Sequence, residues 1–249
     1  MKIDIFGASD IGCVRELNED SFCIYGFDDG KPDGFCILSD GMGGHNAGEV
    51  ASGKTVEFAA EVLKSSADDS KSAVPPRALT EAVGYANKKV YEMALEDARH
   101  NGMGATMVAV YISDTEAYIA NVGDSRAYVF KNNGLVQITK DHSVVEEMVA
   151  SGSLSREEAR CHPQKNIITR AIGTDINTEA DLFEYDCALG DCLLLCSDGL
   201  SGMLEDAEIE GIIRNADDSR TMASALIESA KEHGGTDNIT VICIRFTEV

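Results

Sequence analysis

A chain of 249 residues, 44% hydrophobic and 26% charged, has the size and composition of one large globular domain spanning residues 1–249. No Pro/Ser-rich or low-complexity stretch divides it, so disorder is excluded as a global description. The 43 Asp and Glu residues against 21 Lys and Arg give a net charge of -22, which repels nucleic acid and anionic lipid and otherwise describes an ordinary solvated surface.

Met1-Lys2-Ile3-Asp4-Ile5-Phe6 reaches an acid at once and lacks the apolar stretch of a secretory leader, and no apolar run approaches the length of a membrane span. A cytoplasmic location without membrane insertion is therefore expected. Eight cysteines without a CxxC pair suit a reducing compartment; Cys192 and Cys196 lie inside an apolar run and read as core thiols.

Along the chain, short apolar and β-branched runs predict strands at about 3–9, 22–27 and 35–39. A long helical section follows. One stripe carries Ala51, Phe58, Ala59, Val62 and Leu63, a second carries Leu79, Val83, Ala86, Val90 and Met93, and Asp68 to Pro76 separates the two helices. Four more strands are predicted at about 105–111, 116–122, 126–130 and 135–138. A helix near 142–151 and a short one opened by Ser155, with Glu158 at capping-box spacing, come next. Strands at about 180–185 and 191–197, a helix marked by Met222, Leu226 and Ala230 that stops at Gly234-Gly235, and a strand at about 239–246 complete the chain. Strands cluster in runs between helix pairs, which fits an α+β layered sandwich better than an alternating parallel sheet.

The informative feature is where certain acids fall. Phe35-Cys-Ile-Leu-Ser-Asp40-Gly41 and Leu193-Leu-Leu-Cys-Ser-Asp198-Gly199 share one pattern, a buried strand followed by Ser-Asp-Gly. Asp124 also follows a strand, whereas Asp237 precedes one, so an antiparallel arrangement can bring all four carboxylates to one sheet edge. Oxygen ligands without an accompanying His/Cys set suit Mg²⁺ or Mn²⁺ rather than zinc, and two such ions can clamp a phosphoryl group. Asp-Gly is equally a common turn signal, and each instance alone reads as a turn. Arg15 stands just before Asn18-Glu19-Asp20 at a strand entrance; beside two cations a guanidinium grips phosphate oxygens bidentately, and on its own it reads as a surface ion pair.

In order and spacing, Val14-Arg-Glu-Leu-Asn-Glu-Asp20, Asp40-Gly-Met-Gly-Gly44, Gly123-Asp-Ser-Arg126, Ser197-Asp-Gly-Leu200 and Thr236-Asp-Asn-Ile239 resemble the bacterial branch of the metal-dependent protein phosphatases (PPM, protein phosphatase type 2C). The likeness covers nearly the whole chain, and five ordered motifs are specific where any one would be weak. It implies a four-layer α/β/β/α sandwich, two central, mostly antiparallel sheets flanked by helix pairs, with a pair of Mn²⁺ or Mg²⁺ ions at one edge. By position in the family, Asp40 would bridge both ions, Asp198 and Asp237 would complete the first, and the Gly41 carbonyl would bind the second, on which Glu19 acts through water. Arg15 would hold the substrate phosphate and Asp20 would orient the site as a catalytic residue. Asp124, together with Asp198, would contribute to a third, weaker ion site.

Two positions depart from the family pattern. Met42 stands where many animal members carry a His after Asp-Gly, and His45 is not aligned with it, so protonation of the leaving group is unassigned. Gly202 stands four residues after Asp198, where Asp or Asn is frequent, which implies a weaker third ion. The stretch at about 140–173 resembles the family's flap, an element beside the site that shapes substrate choice, although Ser155-Arg-Glu-Glu-Ala-Arg160 also reads as a solvated helix. His142 and His162, with no partner at metal-ligand spacing, read as structural or surface residues.

The implied function is hydrolysis of phosphoserine and phosphothreonine in phosphorylated proteins, by a monomer, through attack of a water held between the two ions and opposing a Ser/Thr kinase. A catalytically silent phosphoprotein-binding module of the same fold is the alternative, against which the full set of acids argues. A dedicated regulator is the third reading, which attached sensory domains would favour.

Overall fold

The computed structural model describes residues 1–27, 33–43, 47–68, 75–131 and 134–248. Its strands are β1 (Lys2–Asp10), β2 (Asp20–Tyr25), β3 (Gly34–Met42), β4 (Gly104–Ala105), β5 (Met107–Ser113), β6 (Glu116–Val122), β7 (Arg126–Lys131), β8 (Gly134–Gln137), β9 (Asp181–Asp186), β10 (Cys192–Cys196) and β11 (Ile239–Thr247). The helices are α1 (Ala47–Asp68), α2 (Pro75–Glu96), α3 (Val144–Ala150), α4 (Arg156–Arg160), α5 (Asp198–Ser201), α6 (Asp206–Asn215) and α7 (Ser219–Glu232).

Two sheets form, ordered β1-β11-β10-β7-β8 and β2-β3-β5-β6-β9, with β4 attached to β3 and every pairing antiparallel. The central strands read as unbroken apolar runs because both of their faces are covered. On β3, Cys36 and Leu38 join Val108, Val110, Leu193, Leu195, Ile242 and Ile244 between the sheets. Its alternate residues Phe35 and Ile37 pack outward against Leu63, Leu79, Val83 and Val90 of α1 and α2. On the far side Leu194, Val241 and Cys243 meet Ile209, Ile213, Met222 and Leu226 of α6 and α7. The four layers expected from the sequence are therefore present. Cys192 and Cys196 are buried in β10, as their apolar surroundings predict.

Every predicted strand forms, with some boundaries displaced. β3 continues through Asp40 to Met42 because β4 supplies a partner for its last residues, Gly41 opposite Ala105 and Met42 opposite Gly104. β2 begins at Asp20, directly opposite Asp40. The predicted helices are found, and α4 carries the reciprocal Ser155–Glu158 capping box. Most of the Asp68–Pro76 connection lies outside the described residues, as do Gly44 and His45. Helix α6, absent from the sequence reading, buries only Ile209 and Ile213 and contains Gly211, so its apolar stripe is too short to stand out.

Candidate active site

The sheet order places five acids at one end of the sandwich. Asp40 lies near the exit of β3, Asp20 opens the neighbouring β2, and Asp124 sits in the turn from β6 to β7. In the other sheet Asp198 follows β10, while Asp237 precedes the antiparallel β11. These two strand ends are tied by Ser197 N–H donating to Thr240 O at 3.0 Å. Asp40, Asp124, Asp198 and Asp237 line one pocket of about 230 Å³ together with Arg15, Glu19, Gly41, Thr106 and Asn238.

Burial, with crowding of like charge added to it, dominates the electrostatics. Burial first, then Asp20, Asp198, Asp124 and Asp237, push the Asp40 carboxyl well above its usual range. Burial and Asp237 raise Asp198, against hydrogen bonding from Asp40 and the charges of Arg15 and Arg126. Asp124 is pushed up to about 8 by burial, Asp198 and Asp141. Asp20 is pushed up to about 7 by burial, although the Thr240 and Ser197 hydroxyls favour its charged form. The Ser197 hydroxyl donates to Asp20 Oδ2 at 2.8 Å, while Asp20 Oδ1 and Asp198 Oδ1 are buried without a hydrogen-bond partner. Orphaned carboxylate oxygens and mutual repulsion are what a hard divalent cation relieves, and an all-oxygen donor set fits Mg²⁺ or Mn²⁺. Among the described residues, no three His, Cys, Asp or Glu side chains already form a cage around one point. Within the pocket that the carboxylates share, Asp237 Oδ2 accepts from Arg15 Nη2 at 2.7 Å.

Arg15 is half-exposed and also lies 3.8 Å from Glu19 Oε2, so its guanidinium stands at the pocket mouth between two acids. Glu19 is raised chiefly by burial, with the Arg15 charge and then the Gly48 amide opposing. Asn238, quoted in the sequence motif without a role, fastens the Arg15 loop: its Nδ2 donates to Ile11 O and Leu17 O, and its Oδ1 accepts from Glu19 N–H. His142 is buried and structural, its Nδ1 accepting from Gly123 N–H at 3.0 Å, next to Asp124. The His162 ring accepts from Gln164 N–H, and His162 does not line the pocket. Thr106, which the sequence reading passed over, lines it; its signal was the polar residue in Gly104-Ala-Thr106 just ahead of a buried strand.

These raised carboxyls set a pH dependence. Asp20 and Asp124 hold protons to higher pH in the folded chain than in the unfolded one, so between about pH 4 and 8 folding takes up protons, and stability falls as pH rises through that window. The lowered carboxyls Asp97, Asp181, Asp218 and Glu158 titrate below it. In EDTA the urea midpoint is expected to decline from about pH 5 to 8, and with Mn²⁺ to flatten, since the cation replaces the protons. A midpoint that climbs in EDTA over that range contradicts the assignment.

A family model, Protein phosphatase 2C, matches residues 6–148. The Serine/threonine phosphatase stp of Listeria welshimeri is 38% identical over 236 residues, covering 95% of this chain and 93% of that one. The crystal structure of the Staphylococcus aureus Serine/threonine phosphatase Stp1 superposes with a TM-score of 0.89 at 35% identity, covering 100% of this chain and 96% of that one. The catalytic domain of the serine threonine protein phosphatase PstP, in complex with 2 manganese ions, superposes with a TM-score of 0.86 at 32% identity over 99% of each chain. A model matched over more than half the chain, and a relative this similar along nearly all of it, meet here an acidic pocket at the same fold's edge: the chain belongs to the protein phosphatase 2C family and is a serine/threonine protein phosphatase.

Proposed function

We propose that Asp40, Asp198, Asp237 and the Gly41 carbonyl hold two divalent cations, Mn²⁺ or Mg²⁺, with Glu19 acting through water and Asp124 contributing with Asp198 to a weak third position. The observation that carries this reading is the convergence of acids from separate chain segments on one pocket beside an exposed guanidinium. The family is metal-dependent, and two such ions supply Lewis-acid stabilisation of the phosphoryl group and a more acidic water when bound.

The remaining work falls to the chain's own side chains. Arg15, held between Asp237 and Glu19, offers its guanidinium N–H groups to the phosphate oxygens of the substrate. Asp20, with Oδ2 fixed by the Ser197 hydroxyl, orients the site. Met42 and Ile168 wall the pocket with apolar surface. The flap at about 140–173 contributes α3 and α4 to a second cavity of about 380 Å³, shared with α5 and α6, that opens onto Asp124, Asn166 and Asp198; this supports the flap as the surface that reads the protein around the phosphorylated residue.

The substrates are phosphorylated proteins, and each is supplied by a reaction that transfers a phosphoryl group to a Ser or Thr hydroxyl, which makes a Ser/Thr kinase the opposing partner. The enzyme is read as a single 1–249 domain working as a cytoplasmic monomer; among the described residues, no helix is long and apolar enough to cross a membrane.

Hydrolysis of p-nitrophenyl phosphate and of a phosphothreonine peptide, measured with Mn²⁺, with Mg²⁺ and with EDTA, tests the reading. Activity is expected to vanish in EDTA and return on adding Mn²⁺; undiminished turnover in chelator removes the cations from the scheme. Arg15→Ala is expected to raise KM for the peptide about 10- to 100-fold, the worth of charge-assisted hydrogen bonds of about 1.5–3 kcal/mol. An unchanged KM assigns Arg15 to the surface ion pair alone.

A further inference from the structure

Three buried hydroxyls at the pocket wall or next to it, on Ser39, Thr106 and Ser125, are used by neither the core nor the chemistry above. The register runs from Leu38 opposite Val108 to Gly41 opposite Ala105, which sets Asp40 against Thr106. A regular antiparallel hydrogen-bonded pair exchanges both N–H···O=C bonds. Here only one is made, Thr106 N–H to Asp40 O at 2.8 Å. The other is replaced on both sides by side chains: Asp40 N–H donates to Thr106 Oγ1 at 2.9 Å, and Thr106 O accepts from the Ser39 hydroxyl at 2.6 Å.

Besides accepting from the Asp40 amide, Thr106 Oγ1 shares a hydrogen bond with Ser125 Oγ, 2.7 Å away, in which either hydroxyl can donate. Ser125 directly follows Asp124. One side chain, 4% exposed, thereby joins the strand that carries Asp40 to the turn that carries Asp124. A plain sheet ladder between β3 and the residue before β5 would hold Asp40 as firmly but would leave the Asp124 turn without this tether.

We propose that Thr106 is a positioning residue: its hydroxyl draws the Asp40 amide out of the sheet ladder and, through Ser125, fixes the distance between the Asp40 and Asp124 carboxylates across the pocket. The inference rests on the reading of Asp40 as a cation ligand. Groups that orient a metal's ligands typically contribute about 10- to 100-fold to its affinity.

Calorimetric binding of Mn²⁺ to the whole chain tests it, with Thr106→Val, Thr106→Ser, Ser125→Ala and Asp40→Asn compared against the parent protein and circular dichroism confirming that each folds. Thr106→Val, which keeps the shape and deletes the hydroxyl, is expected to weaken Mn²⁺ by about 10-fold or more, and Thr106→Ser, which restores the hydroxyl, to bind as the parent does. Ser125→Ala is expected to fall between them, and it decides the matter if Thr106→Val does not fold. Parent-like affinity in Thr106→Val or in Ser125→Ala, with Asp40→Asn impaired, overturns the positioning role and leaves the ligand assignment standing. Parent-like affinity in Asp40→Asn overturns the ligand assignment itself.

Discussion

Asparagine in place of Asp198 is expected to lower kcat/KM toward a phosphothreonine peptide by about 10³-fold, roughly 4 kcal/mol of transition-state stabilisation. The same change is expected to raise the stability of the chelated protein. Both follow from one fact: Asp198 places a carboxylate among Asp40 and Asp237, with Oδ1 buried and unpartnered. The amide keeps the shape and removes the charge. On the proposed reading the pocket without that charge loses a cation ligand, and in EDTA the same loss relieves repulsion that the folded chain otherwise sustains. Kinetics in Mn²⁺ and urea unfolding in EDTA on one preparation separate the cases. Loss of activity with loss of stability signals a structural defect, and retained activity shows that Asp198 is dispensable to the chemistry.

How far such a site is legible without coordinates depends on the kind of relation involved. Asp40 and Asp198 stood out because a buried strand followed by Ser-Asp-Gly is a local pattern, and the strand ends could be read from hydrophobic runs. That Asp20 opposes Asp40 is a matter of register, fixed by how two strands pair and invisible in either alone. The Arg15–Asp237 bond spans 222 residues and exists only because β1 and β11 are neighbours, which brings the loop after one against the entrance to the other. Asn238 could be noticed beside Asp237, but its role of clamping Ile11 and Leu17 appears only when the loop folds over it. Thr106 left almost no trace, since a threonine ahead of a valine-rich strand is ordinary and its significance lies in a single missing ladder bond.

Gly41→Ala is the second substitution with a large expected effect, and it separates space from backbone freedom. Gly41 does not require a left-handed backbone, so alanine meets no conformational penalty there. What it meets is main chain: an added Cβ would lie 2.0 Å from Gly48 O and 2.6 Å from Glu19 O. Neither atom belongs to a flexible side chain, so β3 and the first turn of α1 must part. Overpacking of this kind costs about 1–3 kcal/mol or more. The displacement also carries the Gly41 carbonyl and Glu19 away from the pocket, and a misplacement of about 1 Å is worth on the order of 10²-fold in rate. Gly84→Ala and Gly211→Ala are the controls, since both glycines sit in helices with nothing within 4 Å of an added Cβ. Those two are expected to be stabilising by up to about 1 kcal/mol, with full activity. Urea midpoints and phosphopeptide turnover for the three variants decide the point: if Gly41→Ala behaves like its helical counterparts, the close approach of β3 to α1 does not shape the site.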